Sequence, residues 1–248
     1  MAVKKSTVKT TTARRISRAG NKPSGIEAYL KRIFALMFGA VALTGVAAYL
    51  MFATGAIVHL FNSTFTGFSG TYYILLFGGL ALSIWAQVRV FNMKPSTGAW
   101  LLALYSILIG ITMTPLLWAA LSINPVSILW AFGVAAAMFA CMALFGYKTV
   151  KDLSFLGIFL MIGMIGLILV GLISIFVPIG AGFSSVVSLI GVLVFALFTA
   201  YDMQNLKNAY NYINDDTQKN QLAVLGALHL YISFIAMFQY LLSLFNRE

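Results

Sequence analysis

The sequence predicts an all-α integral membrane protein, a bundle of seven transmembrane helices. Hydrophobic residues make up 61% of the 248-residue chain and charged residues only 9%, whereas about a quarter of the residues in a soluble domain are normally charged. The mean hydropathy is +0.94. A helix needs about 20 mainly apolar residues to cross a bilayer, and seven nearly uncharged runs of that length follow one another. These observations exclude a soluble globular fold.

The seven predicted spans are joined by breaks too short to form another domain, which indicates one compact bundle. They cover residues 33–60, 72–92, 99–121, 125–147, 154–177, 183–206 and 222–245. The first span is too long and starts too late in the chain for a cleaved signal peptide. The chain therefore divides into a basic tail, residues 1–28, which we expect to be disordered, and a seven-span domain, residues 29–248.

The positive charge is concentrated at the N-terminus, where residues 1–32 hold nine bases and one acid. Most other bases lie in three of the breaks between spans, and the other three breaks carry no charge. Because basic loops stay in the cytoplasm, we expect the tail and the three basic breaks to be cytoplasmic. An odd number of spans then places Arg247 and Glu248 outside, whereas a re-entrant last segment returns them inside. The sequence leaves both topologies open.

Small residues at intervals of four predict a packing face on the fourth span, because they allow helices to approach closely. The face would consist of Gly133, Ala137 and Cys141.

The sequence contains no phosphate-binding, zinc-protease, hydrolase or dinucleotide motif. A single cysteine and two histidines, His59 and His229, make a Cys/His metal cluster hard to build. The basic tail has one aromatic residue and no folded recognition module. We therefore expect no enzyme activity, no resident cofactor and no nucleic-acid partner. The expected partner is the lipid bilayer, and the oligomeric state is left undetermined.

Four polar groups inside the spans are candidate functional residues, because a charge at mid-bilayer costs about 3 kcal/mol even on lenient scales. Asp202, at the cytoplasmic end of the sixth span, is the strongest, and Arg89 is its nearest counter-ion at the same level. His229 and Ser233 are four residues apart and share one face of the last span. An imidazole in a bundle titrates near physiological pH.

Each of these residues also has a structural interpretation, which the sequence leaves open. Asp202 can reach interfacial water or cap locally. Arg89 can serve as an anchor that extends to the interface. His229 can be a packed histidine bonded to a backbone carbonyl. His59, beside an uncharged break, is interpreted as an interfacial residue.

Three stretches resemble the Bax inhibitor-1 (transmembrane Bax-inhibitor-motif) family, and the similarity extends over residues 25–248. They are residues 146–154 (GYKTVKDLS), 191–204 (GVLVFALFTAYDMQ) and 226–235 (GALHLYISFI). The resemblance implies a last helix wrapped by the other six. It also implies a pH-sensitive calcium leak, gated at the cytoplasmic side by two aspartates that share a proton, with an arginine latch.

Asp202 matches the first aspartate of the family and Arg89 matches the latch, but Ser233 occupies the position of the second aspartate. Losing one carboxylate removes the mutual repulsion that tunes such a pair. It also weakens any calcium site, which here would rest on Asp202 alone. We hypothesise that His229, one turn before Ser233, partly replaces the missing titrating group.

The candidate residues and the family resemblance together predict two alternative functions. The first is a pH-responsive cation or calcium leak with Asp202, Arg89, His229 and Ser233 at the gate, and calcium as the transported ion. The second is a non-conducting regulator that binds other membrane proteins, such as a membrane-anchored quality-control protease, through its basic tail. The inner membrane of a bacterium is the expected location of either.

Overall fold

The computed structural model describes residues 25–62, 67–177 and 180–246. Seven α-helices make up almost all of this part of the chain. They are α1 (Gly25–Ala53), α2 (Gly70–Arg89), α3 (Pro95–Ile123), α4 (Val126–Lys148), α5 (Ser154–Phe176), α6 (Ala181–Tyr212) and α7 (Asp216–Phe245). Short 3-10 helices follow α1 and α2 at Ala56–Leu60 and Val90–Asn92. Within the tail predicted at 1–28, residues 1–24 lie outside the described residues.

All seven helices are long and apolar enough to cross a membrane, which confirms the predicted seven-span, all-α fold. Several helices extend beyond the apolar runs that predicted them. The sixth run ends at residue 206, whereas α6 continues to Tyr212, and α7 begins at Asp216, six residues before its run. The side chain of Asp215 caps α7 by accepting bonds from the backbone N–H groups of Thr217 and Gln218. A search for apolar runs cannot detect such polar helix ends.

Helix α7 lies at the centre of the bundle, as the family resemblance implied. In its most apolar stretch 78% of the residues are buried, against 11% in α2 and in α5. It packs against α1, α3, α4 and α6. A helix surrounded by protein can carry polar side chains that lipid would not tolerate, because neighbouring helices supply partners for them.

The two ends of the bundle differ in charge. The end at which α1 begins is called the N-side end, and the opposite end is called the far end. At the N-side end lie the turns after α2, α4 and α6, and bases occupy these turns or the helix ends beside them. Gln221, near the start of α7, donates to the backbone oxygens of Phe91 and Met93 at 3.2 and 2.7 Å there. At the opposite, far end, Ser127 donates to Asn246 at 2.7 Å. Helix α7 therefore passes through the bundle and is not re-entrant, although Arg247 and Glu248 themselves lie outside the described residues.

Helix α4 approaches α6 at Gly146, and a Cβ atom there would overlap the backbone carbonyl of Ala200. The packing face predicted from Gly133, Ala137 and Cys141 is wrong, because these three residues are exposed on the outside of the bundle. Small residues at intervals of four occur on both sides of α4, and the spacing alone does not show which side meets α6. The buried side holds Ser127, Ala131, Ala135, Phe139, Ala143 and Gly146.

Candidate functional site

Asp202 and His229 face each other across the contact between α6 and α7. The Oδ1 atom of Asp202 lies 3.8 Å from Nδ1 of His229, and the two side chains are 12% and 32% exposed. Asp202 is ten residues before the end of α6, about 15 Å along the helix axis. The pair thus lies inside the bundle, nearer its N-side end.

Gln87 of α2 is the third member of the site. Its Oε1 atom lies 3.1 Å from Nε2 of His229, while its own amide nitrogen donates to the backbone oxygen of Ser83 at 3.2 Å. Since Oε1 can only accept a hydrogen bond, Nε2 of His229 carries a proton. In neutral His229 the lone pair of Nδ1 then points at the carboxyl group of Asp202. Because two lone pairs that face each other at 3.8 Å repel, this arrangement favours a proton on one of the two atoms.

Gln87 is not among the site residues predicted from the sequence, because it carries no charge. The available signal was an uncharged amide inside the second span, only two residues before Arg89. Gln221, two helical turns before His229 on α7, bonds the turn that follows α2 and so holds the end of α2 against α7. That contact keeps Gln87 at the level of His229.

Arg89 lies apart from the site. It is exposed, and no ion pair joins it to Asp202 in the part of the chain that the structure describes. Residues two apart in a helix point to nearly opposite sides, since a turn takes 3.6 residues. Because Gln87 faces His229, Arg89 faces away. A latch between Arg89 and Asp202 stays a prediction, and it requires α2 to rotate.

Ser233 lies with the pair, one turn after His229 and only 3% exposed. Asp202, His229 and Ser233 line a cavity of about 150 Å³. The other lining side chains, from α2, α5, α6 and α7, carry no charge: Gln87, Met164, Phe195, Phe198 and Ile232. The cavity is therefore a mainly apolar space with a single carboxyl group and a single imidazole.

No group of three or more His, Cys, Asp or Glu side chains converges within residues 25–62, 67–177 and 180–246. Ca²⁺ prefers six to eight oxygen ligands. Asp202 brings one carboxylate to the cavity, to which Ser233 and Gln87 can add uncharged oxygens. Such a set suits brief contact with a passing cation better than stable retention.

The model of the family described as "Inhibitor of apoptosis-promoting Bax1" matches residues 26–248. The chain belongs to this family. A relative from Caulobacter vibrioides is 35% identical over 234 residues, which are 90% of this chain and 92% of the relative. The inner membrane protein YbhL of Escherichia coli K12 is 32% identical over 227 residues, 91% of this chain and 94% of YbhL. A Borreliella burgdorferi relative is 32% identical over 215 residues, 86% and 89% of the two chains.

This match confirms the Bax inhibitor-1 membership predicted from residues 146–154, 191–204 and 226–235. Two of the three stretches carry the site, and the first packs on α6 at Ala200 and Gln204. The first forms the end of α4 and the following loop, the second contains Asp202, and the third contains His229 and Ser233. The chain is thus a multi-pass membrane protein of this family, in which an imidazole lies opposite the carboxyl group on α6.

Proposed function

We propose that this Bax inhibitor-1 family member is a pH-responsive cation leak, with calcium among the ions it passes. One observation carries the proposal: Asp202 and His229 face each other 3.8 Å apart inside the bundle, with Gln87 fixing the imidazole. Titratable groups inside membrane spans commonly mark ion or proton pathways. The cavity around them gives a cation room beside a carboxylate.

In the proposed mechanism a single proton closes the site. Bound to Oδ1 of Asp202 or to Nδ1 of His229, which lie 3.8 Å apart, it lets the two groups stay close and so keeps α6 near α7, and Gln87 holds α2 to the same imidazole. When that proton leaves, two lone pairs oppose each other and the groups separate. The carboxylate is then free to attract a cation. Flux should therefore rise from acid to alkaline pH.

The N-side end of the bundle faces the cytoplasm in this proposal. Eight bases of the described residues lie on that side: Lys31, Arg32, Arg89, Lys94, Lys148, Lys151, Lys207 and Lys219. Basic loops are retained on the cytoplasmic side. The relative YbhL is described as an inner membrane protein, and we propose the same location here. A cytoplasmic gate then senses cytoplasmic pH.

The test is calcium flux into reconstituted vesicles measured from pH 6 to 8. The wild-type protein should conduct more at pH 8 than at pH 6, and Asp202→Asn should abolish that difference. A neutral amide keeps the size of the side chain but cannot take part in the titration. If Asp202→Asn leaves both the flux and its pH dependence unchanged, the gating proposal is wrong.

A vesicle assay without flux at any pH would favour the second function, a non-conducting regulator that binds other membrane proteins. The tail, residues 1–24, would then be the docking element. Its removal should abolish partner binding in that case, whereas a leak should still conduct without it. Removal of residues 1–24 therefore distinguishes the two proposed functions.

A further inference from the structure

A second cavity lies in the far half of the bundle, between α3, α5, α6 and α7, and has a volume of about 620 Å³. Its polar lining residues are Ser174, Ser184, Ser188, Gln239, Tyr240 and Ser243. Three of the serines lie within a few residues of the far ends of α5, α6 and α7. The cavity, named here the far vestibule, therefore extends to that surface of the bundle.

The far vestibule has the chemistry and the size to hold water. Buried water needs polar partners, and each molecule occupies about 30 Å³, so the volume corresponds to about 20 water molecules. Hydroxyl groups recur along its wall, and the Oγ atoms of Ser188 and Ser243 approach to 3.5 Å. A hydrated vestibule would bring ions from the far side deep into the bundle.

The far vestibule and the cavity of Asp202 follow one another along the contact between α6 and α7. On α6, Ser188, Phe195 and Asp202 follow at intervals of seven, which places them on one face. The facing residues on α7 run from Ser243 near the far end to His229 at the pair. Along this face of α6, apolar Phe195 thus lies between polar Ser188 and Asp202.

Phe195 is the one residue that lines both cavities. Its ring stacks on that of Tyr240, with centroids 6.1 Å apart, and lies 6.0 Å from the ring of Phe198. Tyr240 reaches this position because Gly191 has no side chain: a Cβ atom there would lie 2.6 Å from the Tyr240 ring. Aromatic rings thus lie between the far vestibule and the cavity of Asp202.

We propose that Phe195 is a hydrophobic gate, and that it separates a water-filled vestibule on the far side from the Asp202–His229 pair. An apolar constriction excludes ions because it does not stay wet. The proposal deepens the leak function and rests on it for conduction. The vestibule and its barrier are accessibility properties, and they can be tested without any flux.

The test is labelling of introduced cysteines with a charged, membrane-impermeant methanethiosulfonate reagent added from the far side. The background is Cys141→Ala, which removes the natural thiol. Ser188→Cys reports on the vestibule and Ser233→Cys on the cavity of the pair. We expect Ser188→Cys to react at least about tenfold faster than Ser233→Cys, because the apolar constriction blocks the reagent.

Adding Phe195→Ala should raise the labelling rate of Ser233→Cys from the far side by at least about tenfold, since the barrier is removed. Phe183→Ala is the matched control, because it removes the same ring from α6 at a site that is 57% exposed. Phe195→Leu keeps an apolar side chain and replaces the alanine variant if that variant does not fold. With Phe195→Leu, the labelling rate of Ser233→Cys should lie between those with phenylalanine and with alanine.

Three results would overturn the proposal. An unreactive Ser188→Cys would mean that lipid chains or packing fill the vestibule. Equal labelling of Ser188→Cys and Ser233→Cys with Phe195 in place would mean that there is no barrier. An unchanged Ser233→Cys rate in the folded Phe195 variants would place the barrier elsewhere. A protein that labels as expected but conducts no calcium would contradict the leak function alone.

Discussion

Oδ1 of Asp202 and Nδ1 of His229 lie 3.8 Å apart, so a carboxyl group meets an imidazole where the family resemblance implies a second carboxyl group. This changes the charge of the site. With one bound proton the Asp–His pair is neutral, whereas two carboxyl groups would carry one negative charge. With no bound proton the Asp–His pair carries a charge of −1 and the two carboxyl groups would carry −2. In either state the Asp–His pair attracts cations less strongly.

Ser233 occupies the position at which the family resemblance implies the second carboxyl group. Ser233→Asp should increase calcium affinity by about tenfold, because Ca²⁺ binding strengthens with each added carboxylate oxygen. Ser233 lines the cavity beside Asp202, so the new group would lie near the existing one. Calorimetric titration with CaCl₂ in detergent measures the change. Ser233→Asn is the control, and equal affinities for the two variants would contradict the prediction.

His229 should shape the pH dependence of the leak together with Asp202. We expect His229→Ala to flatten the flux profile between pH 6 and 8, because the imidazole is one of the two facing groups that can bind the proton. Vesicle flux against pH is the measurement. A profile that is normal in His229→Ala but flat in Asp202→Asn would remove the histidine from the mechanism and leave the aspartate.

Asp152 provides the control for that experiment. It is an exposed carboxylate in the loop before α5, and hydrogen bonds from Ser154 hold its pKa below the ordinary value. It is therefore ionised throughout pH 6 to 8 and does not titrate there. Asp152→Asn should leave the shape of the profile unchanged. A flattened profile in this variant would show that the assay reports surface charge.

Substitutions of Gln87 and Arg89 are expected to have different effects on the pH dependence of flux. Gln87→Leu removes the acceptor that orients His229, and should shift the midpoint of the flux profile along the pH axis. Arg89→Gln should not, because Arg89 faces away from the pair and is exposed. Flux profiles of the two variants test this directly. If Arg89→Gln also shifts the midpoint, the latch implied by the resemblance operates after a rotation of α2.

Gly146 should be intolerant of any side chain. Gly146→Ala would push a methyl group into the backbone carbonyl of Ala200, and overpacking of this kind costs about 1–3 kcal/mol. Gly133→Ala is the matched control on the same helix, with no atom within 4 Å of the added Cβ. Thermal unfolding in detergent should show a lower midpoint for Gly146→Ala only. Equal midpoints would mean that α4 can shift away from α6.

The spans could be predicted from the sequence because transfer of apolar side chains into lipid depends on composition over about 20 residues. Helix ends were placed less well, as α6 shows, since its last turns are polar. Asp202, His229 and Ser233 were found as candidates because polar groups in apolar spans are conspicuous. Gln87 was overlooked because an amide is less conspicuous than a charge, and its contact to His229 joins residues 142 positions apart.

By itself, the sequence determined the membrane fold, the number of spans, the distribution of positive charge and the family. These properties follow from local composition, periodicity and short motifs. Only the tertiary structure decided that α7 runs from one end of the bundle to the other and is not re-entrant, that Gln87 rather than Arg89 meets His229, and that Phe195 lies between two cavities. Which face of a helix meets which neighbour depends on the packing of all seven helices together, and small residues on both sides of α4 leave that choice open until α6 is in place.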